Sequence, residues 1–135
     1  QVSFADQDPA LRELLQAHGE ARDRSGSLSA QRLKAAKDFI EAHLFEDVAL
    51  ADIAATTDLS AYHFVRAFKI AEGVTPYRYL LLRRIEHAKQ MIAEGALPIE
   101  AIGRHVGFKS ANHFSRAFRE IARMSPRAFR KQSQK

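Results

Sequence analysis

Apolar residues recur at intervals of three or four along most of the chain, and this spacing predicts α-helices. Valine and isoleucine are scattered and do not form short alternating runs, so the pattern does not favour strands. The sequence therefore predicts an all-α protein of about seven helices. The predicted helices cover residues 30–44, 50–57, 61–72, 76–94, 99–106, 111–122 and 126–131.

The first 28 residues differ in character from the rest. A short helix is predicted at residues 9–18, and the sequence GEARDRSGS that follows it is typical of a linker. The chain begins at Gln1 without an initiating methionine, and we expect it to be a fragment or a processed product.

One heptapeptide occurs twice, as HFVRAFK at 63–69 and as HFSRAFR at 113–119. The residues around it recur as well: Ser60-Ala61 as Ser110-Ala111, and Thr75-Pro76 as Ser125-Pro126. Serine and threonine cap the N-terminus of a helix, and proline fits its first position. Because two copies are too few for a solenoid, the repeat predicts two linked copies of one small module.

Each repeated helix has an apolar face and an opposite, more polar face. The apolar stripes are Phe64, Ala67, Phe68 and Ala71 in the first copy, and Phe114, Ala117, Phe118 and Ile121 in the second. The opposite stripes are Tyr62, Val65, Arg66 and Lys69, and Asn112, Ser115, Arg116 and Arg119. The second face keeps its two basic residues and changes at the other two positions. This is the pattern expected of one scaffold that presents two different recognition surfaces.

Each repeated helix also follows a short helix and a turn, which is the order of a helix-turn-helix. The second helix of such a unit enters the major groove of DNA. There Arg66 and Arg116 can each bond guanine with two donors, Asn112 suits adenine, and Val65 suits the methyl group of thymine. The same side chains also fit an ordinary solvated helix face. Arginine at the same place in both copies favours base recognition.

Charge is distributed unevenly. Residues 1–57 carry 6 basic and 10 acidic side chains, whereas residues 58–135 carry 15 basic and 6 acidic ones. The basic part favours a polyanionic partner, nucleic acid first. A second hypothesis is a basic protein-interaction module that docks an acidic partner such as RNA polymerase.

Other classes of function find little support in the sequence. It has no cysteine, no two of its six histidines lie three or four residues apart, and no nucleophile with a base or pair of carboxylates stands out. We therefore expect no enzyme, no metal site and no cofactor. The longest apolar runs are far shorter than the ~20 residues of a membrane-spanning helix, so no membrane partner is expected.

These residues carry a resemblance to a known family. The stretches LADIAATTDLSAYHFVRAFKIAEGVTPYRYLLLRRIEHAKQMI and IEAIGRHVGFKSANHFSRAFREIARMSPRAFR resemble the DNA-binding domain of the AraC/XylS family of bacterial transcription regulators. The resemblance implies two helix-turn-helix subdomains joined by a long helix, with recognition helices at 61–72 and 111–122. By the matching positions, base contacts fall to Tyr62, Val65, Arg66, Asn112, His113 and Arg116.

The resemblance also implies boundaries, partners and a location. We expect a linker segment at 1–28, a first subdomain at 29–75, a linking helix at 76–94 and a second subdomain at 95–135. The implied partner is double-stranded DNA in the bacterial cytoplasm, at the nucleoid, while any effector would bind a domain outside this chain. The predicted phosphate contacts are Ser60, His63, Lys69, Arg78, Ser110 and Arg119. For both His63 and His113, the alternative role is to fix the start of the helix.

The linking helix would extend about 28 Å at 1.5 Å per residue, close to one turn of DNA. Its Arg83, Arg84 and Lys89 are further candidates for phosphate contacts, and an internally paired Arg84 is equally compatible with the sequence.

Three positions depart from the repeat or from the family pattern. Asp58 stands in the first turn where the second copy has Gly107, although aspartate tolerates a left-handed backbone better than most residues. Arg123 stands where the first copy ends its helix with Gly73, which predicts a strained or altered helix end. Gly103 matches Ala54, and is expected to weaken its short helix by up to about 1 kcal/mol.

Overall fold

A computed structural model describes residues 28–134, and these contain seven α-helices and no strand. The all-α prediction is confirmed. The predicted helix at 9–18 and most of the predicted linker lie outside the described residues. The helices are α1 (Ala30–Ala42), α2 (Leu50–Ala55), α3 (Ala61–Glu72), α4 (Pro76–Glu94), α5 (Ile99–His105), α6 (Ala111–Ala122) and α7 (Pro126–Ser133).

The helix ends follow local sequence signals closely. Ser29, Ser60, Ser110 and Ser125 each accept a hydrogen bond from the backbone amide three residues later, and Thr75 caps α4 in the same way. The predicted limits of α3, α4 and α6 are confirmed. The others shift by a few residues: α1 ends at Ala42 instead of 44, α2 at Ala55 instead of 57, α5 at His105 instead of 106, and α7 continues to Ser133 instead of 131.

The described residues divide into two compact units. Unit 1 comprises residues 28–43 and Asp47–Tyr79, and unit 2 comprises Leu44–Glu46 and residues 80–134. Helix α4 therefore contributes its first turn to unit 1 and the rest of its length to unit 2. Each unit holds one copy of the repeat.

Unit 1 packs α1, α2 and α3 around two phenylalanines of the repeat. Phe64 and Phe68 are fully buried, and their ring centroids lie 5.5 Å apart. Ile40 and Ile53 complete this core from α1 and α2. Ala71 was predicted to face inward and is exposed, which corrects that prediction. The α3 helix keeps its period to its end, but near Ala71 no element within residues 28–134 covers it.

Unit 2 repeats this core with α5, α6 and the longer part of α4. Phe114 and Phe118 are buried with ring centroids 5.8 Å apart. From α4, the predicted stripe is buried as expected, and Leu80 is buried with it. That stripe consists of Leu81, Ile85, Ala88 and Ile92.

The two turns have left-handed residues where the repeat predicts them. Asp58 has φ of 62° and Gly107 has φ of 104°. Asp58 is exposed, with a carboxylate oxygen 3.6 Å from a guanidinium nitrogen of Arg32. Beneath this turn the buried hydroxyl of Thr57 donates to the carbonyl of Ala54 at 2.6 Å. The first turn thus closes without glycine because aspartate adopts the conformation at moderate cost.

The second turn is fastened from α4 by Arg84, whose side chain is only 6% exposed. Its Nε donates to the carbonyl of Leu44 at 2.7 Å and its Nη2 to that of Glu46 at 2.8 Å. Its Nη1 donates to the carbonyl of Gly107 at 3.3 Å, and the guanidinium lies 5.7 Å from the ring centroid of Phe108. Arg84 is thus internal, which decides between the two roles that the sequence left open.

Gly103 has a packing role that helix propensity does not show. The residue is buried on α5, and a Cβ atom there would lie 2.8 Å from Cδ2 and 2.9 Å from Cγ of Phe114. By helix propensity alone, glycine is expected to weaken this helix. Its lack of a side chain, however, is what allows the ring of Phe114 to seat against α5.

Candidate nucleic-acid interface

The N-termini of α3 and α6 are fixed by the same device. The Ser60 hydroxyl oxygen accepts from the backbone amide of His63 at 3.2 Å, and that of Ser110 accepts from the amide of His113 at 3.0 Å. Each cap sets the residue at which the helix begins and hence which side chains point away from the phenylalanines. The first two turns of both helices therefore present corresponding positions, 62 with 112 and 66 with 116.

The far ends of these helices are left-handed in both units. Gly73 ends α3 with φ of 93°, and Arg123 ends α6 with φ of 67°. The glycine adopts this conformation freely, whereas an arginine pays a steric cost for it. The strain predicted for Arg123 is thus located at its backbone, and the shape of the helix end is the same in both copies.

On the outward face of α3 an aromatic ring lies beside the arginine. The Cζ atom of Arg66 lies 5.9 Å from the ring centroid of Tyr62, within the range of a cation–π contact. Tyr62 and Val65 are half-buried, while Arg66 and Lys69 are exposed. The face combines a partly packed apolar surface with two accessible cations. The apolar surface can meet apolar base edges, and a guanidinium or ammonium group can meet guanine or a phosphate.

The outward face of α6 is more polar and more open. Asn112, Arg116 and Arg119 are exposed and Ser115 is half-buried, and the four line an open depression on the surface. Amide and guanidinium groups are the side chains that pair bidentately with adenine and guanine. The described geometry thus leaves the predicted base-contacting groups of this helix accessible.

The two histidines of the repeat have different surroundings. His113 is half-buried, and its ring stands edge-on to Phe108 with centroids 5.0 Å apart. His63 is only 8% exposed, with Nδ1 2.9 Å from the Ser60 hydroxyl and a buried Nε2 that has no hydrogen-bond partner. These positions make His63 part of the helix cap and a poor candidate for a phosphate contact, whereas His113 stays accessible.

The other predicted phosphate contacts fall into three groups. Lys69 and Arg119 are exposed in the last turns of their helices. Ser60 and Ser110 are exposed residues that cap their helices. The hydroxyl oxygen of each already accepts a hydrogen bond from a backbone amide in the absence of DNA. Arg78 is half-buried in the first turn of α4.

Some basic residues of unit 2 serve the fold and not a surface. Besides Arg84, Arg130 of α7 donates from Nη2 to the carbonyl of Leu97 at 2.6 Å and from Nε to that of Ile92 at 3.4 Å. Sequence reasoning did not identify this second role. An arginine that caps carbonyls 33 and 38 residues away leaves no local signal.

Within residues 28–134, no group of three or more histidine, aspartate or glutamate side chains could hold a metal ion. None of the described helices combines the length and the apolar character needed to cross a membrane.

The sequence is similar to those of known transcription regulators. A family model described as a helix-turn-helix domain matches residues 53–132. The probable transcriptional regulator LumQ of Photobacterium leiognathi is 37% identical over 89 residues, which are 66% of this chain and 36% of that protein. The HTH-type transcriptional activator RhaS of Escherichia coli O157:H7 is 33% identical over 102 residues, 76% of this chain and 37% of that protein. The chain spans about a third of the length of the curated relatives it matches.

Solved structures of helix-turn-helix regulators are similar to this chain as well. A transcriptional regulator of the AraC-type DNA-binding group from Chromobacterium violaceum superposes with a TM-score of 0.71 at 32% identity, covering 76% of this chain and 92% of that one. The C-terminal domain of AraT, a response regulator from Geobacillus stearothermophilus, gives a TM-score of 0.71 at 27% identity, covering 78% and 87%.

Proposed function

Because this chain belongs to the AraC/XylS family of helix-turn-helix DNA-binding transcription regulators, and not to a family of enzymes, we propose that it binds a specific duplex sequence through α3 and α6. Each of these helices enters a major groove, and the two grooves follow one another along the duplex. The observation that carries this proposal is the exposed arginine at the same place in two equally built units, Arg66 and Arg116.

The differences beside these arginines give the proposal its detail. In the first unit Tyr62 and Val65 flank Arg66, and in the second Asn112 and Ser115 flank Arg116. An apolar contact to thymine and an amide contact to adenine select different bases. The bound sequence is therefore asymmetric, with two half-sites that differ where these flanking residues differ.

Phosphate contacts position the two helices without carrying sequence information. We assign them to Lys69, Arg78 and Arg119, with the capping hydroxyls of Ser60 and Ser110 beside them. Within the intact regulator we propose action in the bacterial cytoplasm at the nucleoid, contact with RNA polymerase, and an effector bound by a domain outside this chain.

The test begins with selection of bound duplexes from a random pool. Arg66→Ala and Arg116→Ala are each expected to weaken binding to the selected sequence by about 1–3 kcal/mol and to relax selectivity at different base pairs. Lys34→Ala is the control, because it removes one exposed cation of α1 that pairs with Asp38 at 2.7 Å. Lys34→Ala should leave selectivity unchanged both at the base pairs affected by Arg66→Ala and at those affected by Arg116→Ala.

Two results would contradict the proposal. One is equal weakening of both arginine variants on every duplex, which would indicate a charge effect without base recognition. The other is an affinity that does not fall with salt, because binding to phosphates releases counterions. Failure of any duplex to be enriched would favour the alternative, a basic module that docks an acidic partner such as RNA polymerase.

A further inference from the structure

A groove in unit 2 lies between α5, α6 and the start of α7, and we call it the α5–α7 groove. Its volume is about 320 Å³, and Gly103 and Phe114 are among the residues that line it. Its polar and charged lining includes Glu100, Arg104, Lys109, Ser110, Arg119 and Arg127.

The chemistry of this lining favours an anionic group of a larger partner. Sites for small metabolites are mainly apolar and aromatic, with few polar groups, and occupy about 300–1,000 Å³. The α5–α7 groove is at the lower end of that range and has four cationic side chains and one carboxylate, Glu100. Such a lining suits a phosphate better than an apolar ligand.

The groove is continuous with the proposed DNA-binding face of α6. Ser115 and Arg119 line both the groove and the open depression that contains Asn112 and Arg116. A duplex whose bases meet Asn112 and Arg116 would therefore bring its backbone next to the groove.

The cations of the groove are specific to the second copy of the repeat. At the places of Arg104 and Arg127 the first copy has Ala55 and Tyr77. Lys109 has no counterpart, because the second copy has one residue more between its turn and its capping serine. The shared frame thus does not require these three charges.

We propose that the α5–α7 groove receives a phosphodiester of the DNA backbone beside the half-site bound by α6, with Arg104 and Arg127 as its principal contacts. The inference rests on the proposed function and extends the second subdomain's contact to α5 and α7. The first subdomain lacks both arginines and makes no equivalent contact.

The test compares Arg104→Ala/Arg127→Gln with wild type on the selected duplex and on an unrelated duplex. Losing one phosphate contact should lower the slope of log affinity against log salt by about 1. The loss of affinity between 50 and 200 mM salt should accordingly become roughly three- to fourfold smaller. The ratio of the two affinities should stay unchanged, because phosphates carry no sequence information.

The matched control is Lys34→Gln/Lys131→Gln, which removes two exposed cations that do not line the groove. Lys131 lies on α7, as Arg127 does. Far-ultraviolet circular dichroism and thermal unfolding of both double variants ensure that the comparison is between folded proteins. A control that lowers the salt slope as much as the groove variant would overturn the inference, and so would a groove variant that changes the affinity ratio.

Amide chemical shifts of residues 104 and 127 separate the two sources of phosphate. A response to added duplex supports the inference. A saturable response to millimolar inorganic phosphate without any response to duplex would assign the groove to a free anion and overturn it. If Arg116→Ala relaxes selectivity while the groove variant behaves like the control, only this inference fails. If the random pool yields no enriched duplex, the proposed function fails as well.

Discussion

Replacing Gly103 by alanine distinguishes a local from a tertiary explanation of this residue. Helix propensity alone predicts that Gly103→Ala stabilises α5 by about 1 kcal/mol. The structure predicts the opposite sign. The added Cβ atom would lie 2.8 and 2.9 Å from two ring atoms of Phe114, well inside van der Waals contact.

The magnitude follows from how far the ring of Phe114 can move. It is 2% exposed, and its centroid lies 5.4 Å from that of Phe108 and 5.8 Å from that of Phe118. Overpacking at such a site costs about 1–3 kcal/mol. After the gain in propensity of about 1 kcal/mol is subtracted, we expect Gly103→Ala to lower the free energy of unfolding by up to about 2 kcal/mol.

The matched variant is Ala54→Gly in unit 1, at the corresponding position of the repeat. Ala54 is 2% exposed, so its loss removes a buried methyl group and helix propensity together, about 1–2 kcal/mol. Urea unfolding followed by circular dichroism measures both. The structure predicts that both exchanges destabilise the protein. Stabilisation by Gly103→Ala of 0.5 kcal/mol or more, roughly the size of a propensity effect, would refute the packing argument.

Three further substitutions test other buried or strained features. Arg84→Met should lower the free energy of unfolding by about 3 kcal/mol, because the buried carbonyls of Leu44 and Glu46 lose a charged donor. Urea unfolding measures this change. A free energy of unfolding close to that of wild type would show that water replaces the guanidinium. Arg123→Gly should raise the melting temperature, with a gain of about 0.5–1 kcal/mol in the free energy of unfolding, because glycine has no steric cost at φ of 67°. Gly73→Ala should lower the melting temperature for the same reason. Calorimetry that finds shifts of the same sign for both variants would contradict this account.

The parts of the fold that could be predicted from sequence depend on neighbours within one turn of helix. Ser60 and Ser110 cap helices because a hydroxyl reaches an amide three residues away, and Gly73 ends one because it lacks a Cβ atom. The phenylalanines of the repeat are buried as their spacing predicted. These signals are local, and the repeat supplies the capping serine and the two buried phenylalanines twice.

The features that sequence did not decide depend on distant partners. Arg84 donates hydrogen bonds to carbonyls 40, 38 and 23 residues away. The neighbouring sequence therefore does not distinguish an arginine that holds the fold together from one that contacts phosphate. Gly103 is explained by a ring eleven positions further along. Ala71 continues the apolar period of α3 into a region where unit 1 has no partner for it. Periodicity predicts which face turns inward but not how far the neighbouring element extends.

His63 and His113 show how one motif acquires two environments. They occupy the same place in the repeat, and the amide of each is held by a capping serine. Only His63 also places a ring nitrogen against its serine and is buried, whereas His113 packs on Phe108, which has no aromatic counterpart at Leu59. Identical residues within a repeat therefore need not share a function.

The burial of the outward residues differs between the two proposed recognition helices. On α3, Tyr62 and Val65 are half-buried, and the ring of Tyr62 lies beside Arg66. Fixing an arginine before binding reduces the conformational entropy lost when it meets a base. On α6, Asn112 and Arg116 are exposed, and in the proposed complex binding itself orders them. A change at Tyr62 would thus act on packing and recognition together, whereas a change at Asn112 would act on recognition alone.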